Sequence, residues 1–183
     1  MTPRLPTLAR EDLDAAQQIV WDSIASSGRG GVGGPFQPLL RSAELCSRVE
    51  RLGVFLRFEC SVPMRLRELA ILCVGQHWRA AYEWYAHAPI AARQGVPEAV
   101  IAAIGRGEAP PFDSEADRVV HHFVRGVLGN GTASDAAHTA ARDLLGERGV
   151  VELTALIGYY SLLAFQLNVF QSLPPPEFRA PWA

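Results

Sequence analysis

Along most of the chain apolar residues recur at intervals of three and four rather than two, the period of a helix with one buried face and not of a strand. Residues 8 to about 26 are predicted to be helical, with Thr7 as N-cap and Leu13, Ala16, Ile19, Val20 and Ile24 on one face. The segment SSGRGGVGGPFQP (26–38) interrupts the pattern, and a short helix follows from Leu39 to Arg48 or on to Phe58. Pro63 suits the first turn of a helix over 63–80, where a missing N–H costs least. A second helix over 81–94 should stop at Gly95 and kink at Pro89. Val96 to Gly105 forms a short helix, and GEAPPFD (107–113) a loop. Ser114 caps a helix to about Gly129, and Ser134 or Thr132 caps the next. The stretch 149–171 is nearly all apolar, so it is expected to be buried or to lie at a subunit interface. The tail 172–183, SLPPPEFRAPWA, should be irregular and draped over a neighbouring subunit. The fold class is therefore all-α, with residues 1–183 as one domain.

Two local features qualify this picture. Gly28, Gly30 and Gly33 fit GxGxxG, but that fingerprint requires a strand before it and a helix after it. Here a helix precedes it and Pro35 and Pro38 follow, so the segment is a loop able to cover a site as a lid rather than a dinucleotide cradle. RELAIL (67–72) and VELTAL (151–156) echo one another, with Glu68 and Glu152 in the same place. An internal duplication of helical hairpins and a chance likeness between Leu- and Ala-rich helices explain this about equally well.

Composition narrows the chemistry. The 183 residues include 17 basic ones, all Arg, and the net charge is −2. Without a lysine amine there is no Schiff-base, pyridoxal-phosphate or P-loop chemistry, whereas Arg is suited to gripping a carboxylate through two parallel hydrogen bonds. No clustered basic patch exists to bind nucleic acid. Cys46, Cys60 and Cys73 form no CxxC and are expected to be buried thiols in a reducing compartment. The N-terminus lacks an apolar signal core and the long apolar stretches carry polar residues at helical intervals, so the expectation is a cytoplasmic protein with no membrane span.

Glu83 and His87 stand four apart in AAYEWYAHAPIAA, on one helical face and within reach of each other. A carboxylate beside an imidazole stabilises the imidazolium, giving a general acid or base for use near neutral pH; a solvated surface pair has the same spacing. Glu68 shares a face with Leu72, Gln76 and Arg79. If the two helices pack as a hairpin, Glu68 meets the pair, and two converging carboxylates make one of them a poised acid; alternatively Glu68 simply favours a helix N-terminus. Tyr82 and Trp84 are either core aromatics or a wall against a planar substrate. No HExxH or paired cysteine ligands occur, so neither a metal nor another cofactor is expected.

LRELAIL followed by YEWYAHAPIAARQGVPEAVIAAI resembles the carboxymuconolactone decarboxylase family, which includes the alkylhydroperoxidase D-like proteins. The likeness is clearest over 63–105 and extends to GPFQPLLRSAEL and VELTALIGYYSLLAFQLNVF. It implies an all-helical fold around a helical hairpin, and trimers or hexamers with sites near subunit interfaces. In the peroxidase branch a glutamate precedes a CxxC with a histidine four residues beyond. Carried over, these are Glu68 and His87, while the cysteine positions become Ala80 and Glu83. A thiol peroxidase needs an attacking and a resolving thiol, so that activity is not expected. The implied function is a cofactor-free lyase acting on a small cyclic carboxylate. His87 would be its acid/base, Glu83 would orient His87, Glu68 would tune the site or move a second proton, and Arg79, Tyr82 and Trp84 would bind substrate. The alternatives are a thiol-dependent antioxidant enzyme and a non-catalytic oligomeric scaffold.

Overall fold

The structure is a computed structural model that describes residues 3–28 and 31–182; Gly30, part of the GxGxxG pattern, lies outside them. Among the described residues eight α-helices carry the fold: α1 (Ala15–Ser26), α2 (Phe36–Leu39), α3 (Ala43–Val54), α4 (Met64–His77), α5 (Ala81–Arg93), α6 (Glu98–Arg106), α7 (Glu115–Asn130) and α8 (Asp135–Phe170). A 3₁₀ turn (Arg10–Asp12) precedes α1, and a π-helical turn (Phe55–Glu59) continues α3. No strand occurs among the described residues, so the class is all-α.

Helix α4 is the axis of the molecule. Every residue from Leu66 to Gln76 is buried, which an amphipathic surface helix would not show. Helices α5, α7 and α8 pack around it. Arg65 fixes one side, donating to both oxygens of buried Asp117 at 2.6 Å and to the Gly95 carbonyl. The core they enclose includes Leu69, Ile71, Leu72, Leu153, Leu156 and Tyr160.

Several boundaries differ from those expected. Helix α1 starts at Ala15, not at residue 8, because Asp14 and Gln17 form a reciprocal capping box that satisfies two backbone N–H groups at once; Thr7 caps nothing. Of its expected face, Leu13, Val20 and Ile24 are buried and Ile19 is exposed. Pro63 is the N-cap of α4 rather than part of its first turn. The helix expected after Ser134 and the one expected from about 149 meet, as α8, at a non-helical kink at Gly146, where φ is 71° and ψ 170°. Ser114 and Ser134 cap α7 and α8 as expected. By length and composition α8 could cross a bilayer, yet 56% of its apolar window is buried within the chain, consistent with a core helix.

The tail folds back on its own chain. Trp182 packs edge-on against Trp84, and Phe178 against Tyr85, with ring centroids 5.3 Å apart in both pairs. Gly105 permits this approach, since a Cβ there would stand 2.7 Å from Pro181.

Candidate functional site

The hairpin of α4 and α5 assembles the site. Helix α4 ends in a Schellman turn: the Arg79 and Ala80 N–H groups donate to the Gln76 and Gly75 carbonyls, at 3.1 and 2.9 Å. Arg79 occupies the left-handed position, with φ at 52°, usually taken by glycine. This tight reversal lays α5 back along α4, so that its third and seventh residues, Glu83 and His87, face Glu68.

Glu68, Glu83 and His87 are each 4% exposed. Ionisable groups so buried are costly unless they partner one another, and they do. His87 Nδ1 lies 2.7 Å from Glu68 Oε2. When Glu68 is ionised its carboxylate only accepts, so Nδ1–H is then the donor and the ring orientation is fixed. That leaves Nε2 directed at Glu83 Oε2, 3.5 Å away. Tyr160 of α8 packs perpendicular to the imidazole, centroids 5.2 Å apart. Burial, reinforced by Glu83 and Glu68 against an opposing effect of Arg57, pushes its phenol well above the usual range, so the hydroxyl keeps its proton.

A cavity of about 380 Å³ opens on this cluster, lined by His87, Glu83, Tyr82, Tyr160, Arg57 and the Gly31–Gly33 stretch among others. The Gly-rich loop therefore forms a wall of the site. It rests on Tyr82: a Cβ at Gly34, where φ is 56°, would run into the Tyr82 ring. Burial raises the Tyr82 phenol, helped by Glu83 and Tyr85. Glu68 lies behind His87 and is not part of the cavity lining.

Two expected substrate-binding residues are elsewhere. Arg79 is exposed, its guanidinium 5.7 Å from the Trp182 ring centroid, and it borders a separate pocket with Leu167 and Gln171. Its backbone role in the Schellman turn directs it away. Trp84 is buried against Trp182 and does not line the cavity. Conversely, sequence reasoning missed Arg57 and Tyr160. Tyr160 had a signal: it follows Glu152 by eight residues, as Gln76 follows Glu68 on the polar face of the echoed helix. Arg57 had none, because its direction depends on the π turn.

The cysteines are remote from this cavity. All three are buried and unpaired by disulfides, and burial pushes the Cys46 and Cys73 thiols up to about 12. Among the described residues no group of three or more His, Cys, Asp or Glu side chains is arranged to hold a metal ion.

No family model and no curated protein matches the chain. A solved structure is similar in fold: the alkylhydroperoxidase AhpD core of an uncharacterized peroxidase-related protein from Ralstonia eutropha JMP134. Its TM-score is 0.77 at 13% identity, over 99% of this chain and 97% of that one.

Proposed function

We propose that this chain, which has the all-α AhpD-like fold, is a lyase that decarboxylates a small cyclic carboxylate of the carboxymuconolactone type by proton transfer between its own side chains. The observation that carries this reading is the buried Glu68–His87–Glu83 series, hydrogen-bonded at its inner end and open to the cavity at its outer end.

In the proposed reaction the bond to the departing carboxylate breaks and carbon dioxide leaves. The electron pair is delocalised toward the lactone carbonyl, and the carbon that lost the carboxylate is protonated. His87 supplies that proton from Nε2, with Glu83 beside it as the relay that returns one. Glu68 holds Nδ1, a partner that keeps the ring oriented. This reverses the division of roles expected from sequence: Glu68 orients and Glu83 moves the proton. Tyr160 and Tyr82 would flank the reacting ring.

The test is an ultraviolet assay of 4-carboxymuconolactone loss with wild type, His87→Ala and Glu83→Gln. His87-dependent loss supports the reading, and no loss in wild type rejects this substrate class. A thiol peroxidase is the second reading, favoured by the likeness in fold to a peroxidase-related protein. Against it stand Ala80 and Glu83 at the expected cysteine positions and a buried Cys73 whose thiolate is disfavoured. Self-association is also proposed, because Val151, Leu162, Phe165 and Val169 leave an exposed apolar stripe along α8. Light scattering of wild type against Phe165→Glu tests it.

A further inference from the structure

The cavity has a cation that the relay does not use. Arg57 lies in its wall with His87, Glu83 and Tyr160, and it is carried by the π turn Phe55–Glu59 that extends α3. Such turns insert an extra residue into a helix and re-aim the side chains around it. This one is clamped from below. Arg67 of α4, 7% exposed, donates from Nη1 to the Leu56 carbonyl at 3.3 Å and also to the Arg57 carbonyl. A buried guanidinium thus fixes the backbone on which the cavity's own guanidinium stands. Arg57 has no carboxylate within ion-pair distance among the described residues; its Cζ lies over the Phe58 ring, 5.2 Å from the centroid.

Charge balance gives this position a purpose. Glu68 and Glu83 bring two carboxylates to the cluster, with His87 between them. An anionic ligand entering beside them would be repelled unless a further positive charge met its anionic group. A guanidinium is permanently charged and matches a carboxylate with two parallel N–H donors.

We infer that Arg57, positioned by the π turn and the Arg67 clamp, is the anchor for the carboxylate of a small cyclic acid. This rests on the proposed function for the fate of that acid, but not for its binding. Anchoring at Arg57 places the ligand's ring between the guanidinium and His87, against Tyr160 and Tyr82.

The test is a calorimetric titration of the full chain with 2-furoate, a cyclic monocarboxylate, and with its neutral methyl ester. Wild type should prefer the acid to the ester. Arg57→Gln should weaken furoate binding roughly 10- to 100-fold, the scale of losing a paired, charge-assisted contact, and leave the ester unaffected. Arg57→Lys should restore part of the loss, and Arg79→Gln, outside the cavity, should bind furoate as wild type does. Unchanged furoate binding in a folded Arg57→Gln protein overturns the inference, as does a wild type that does not distinguish acid from ester. The two proposals fail separately. Arg57-dependent furoate binding without lactone turnover keeps the anchor and rejects the decarboxylase. His87-dependent turnover with KM unchanged in Arg57→Gln keeps the decarboxylase and rejects the anchor.

Discussion

Glu68 and Glu152 sit in matching sequence contexts, RELAIL and VELTAL, and both are buried near the start of long apolar helical runs, yet their surroundings give them different work. Glu152 is surrounded by donors. It accepts from the Ser61 N–H and hydroxyl, both at 2.6 Å, and from Arg148 Nε at 2.7 Å. Burial pulls its carboxyl upward, but the Ser61 and Arg148 hydrogen bonds outweigh that and leave it below the usual range. Such a group is saturated: it ties the chain after the π turn to α8 and has no proton to exchange. Glu68 instead meets one titratable partner, His87, whose far nitrogen reaches the cavity. A carboxylate becomes structural or chemical according to whether its partner can gain and lose a proton.

The largest effect expected from breaking this comparison is on the chemical side. Glu68→Gln should cut lactone turnover by up to about 10²–10⁴-fold, the usual worth of the acid–base group His87 that it orients, while far-ultraviolet circular dichroism stays unchanged. Glu152→Gln should do the converse. It should lower stability by about 1–3 kcal/mol in urea unfolding, from disrupted hydrogen bonds to a charged group, with turnover per folded molecule retained. If Glu152→Gln loses activity as Glu68→Gln does, the contrast is void.

A smaller effect lies in the pH dependence. Because the Glu152 carboxyl is held below its unfolded value of 4.5, the unfolded chain takes up the proton first. That stability is present above pH 4.5 and lost as pH falls through the folded value, so Glu152→Gln should flatten the acid limb there. His121 acts at higher pH. Burial, with Arg125 and His122 adding repulsion, lowers its imidazole to about 4 from 6.5. The unfolded chain again binds the proton first, so stability should fall as pH drops from 6.5 toward 4. Melting curves of His121→Gln should lose the slope in that window and keep the one below it. The smallest effect expected is none: Cys73, pushed up to about 12 by burial, should resist iodoacetamide at pH 8 in the folded protein and react after unfolding. Rapid labelling of native Cys73 would revive the thiol reading.

What was legible in the sequence was what local spacing controls. Helical periodicity gave α4 to α7 within a few residues, and Glu83 and His87 had to share a face because four residues separate them. The hairpin that brings Glu68 to them followed from how little chain joins α4 to α5. Failures came where a distant or competing contact decided. The Asp14–Gln17 capping box moved the start of α1. Arg79, on the polar face of α4 by spacing, became the left-handed residue of a Schellman turn and left the site. Arg57 entered through a π turn clamped by Arg67, a contact between elements that no periodicity encodes. The tail found its own α5 because Gly105 leaves room for Pro181.

The account turns on Glu68 holding His87 by Nδ1 so that Nε2 faces the cavity. The most direct measurement is the ¹⁵N and ¹H resonances of the His87 ring, recorded for wild type and for Glu68→Gln. The expected result is a proton on Nδ1 in a strong hydrogen bond, with a large change in the ring resonances in Glu68→Gln. An unprotonated Nδ1 in wild type, or a ring indifferent to Glu68→Gln, would contradict it.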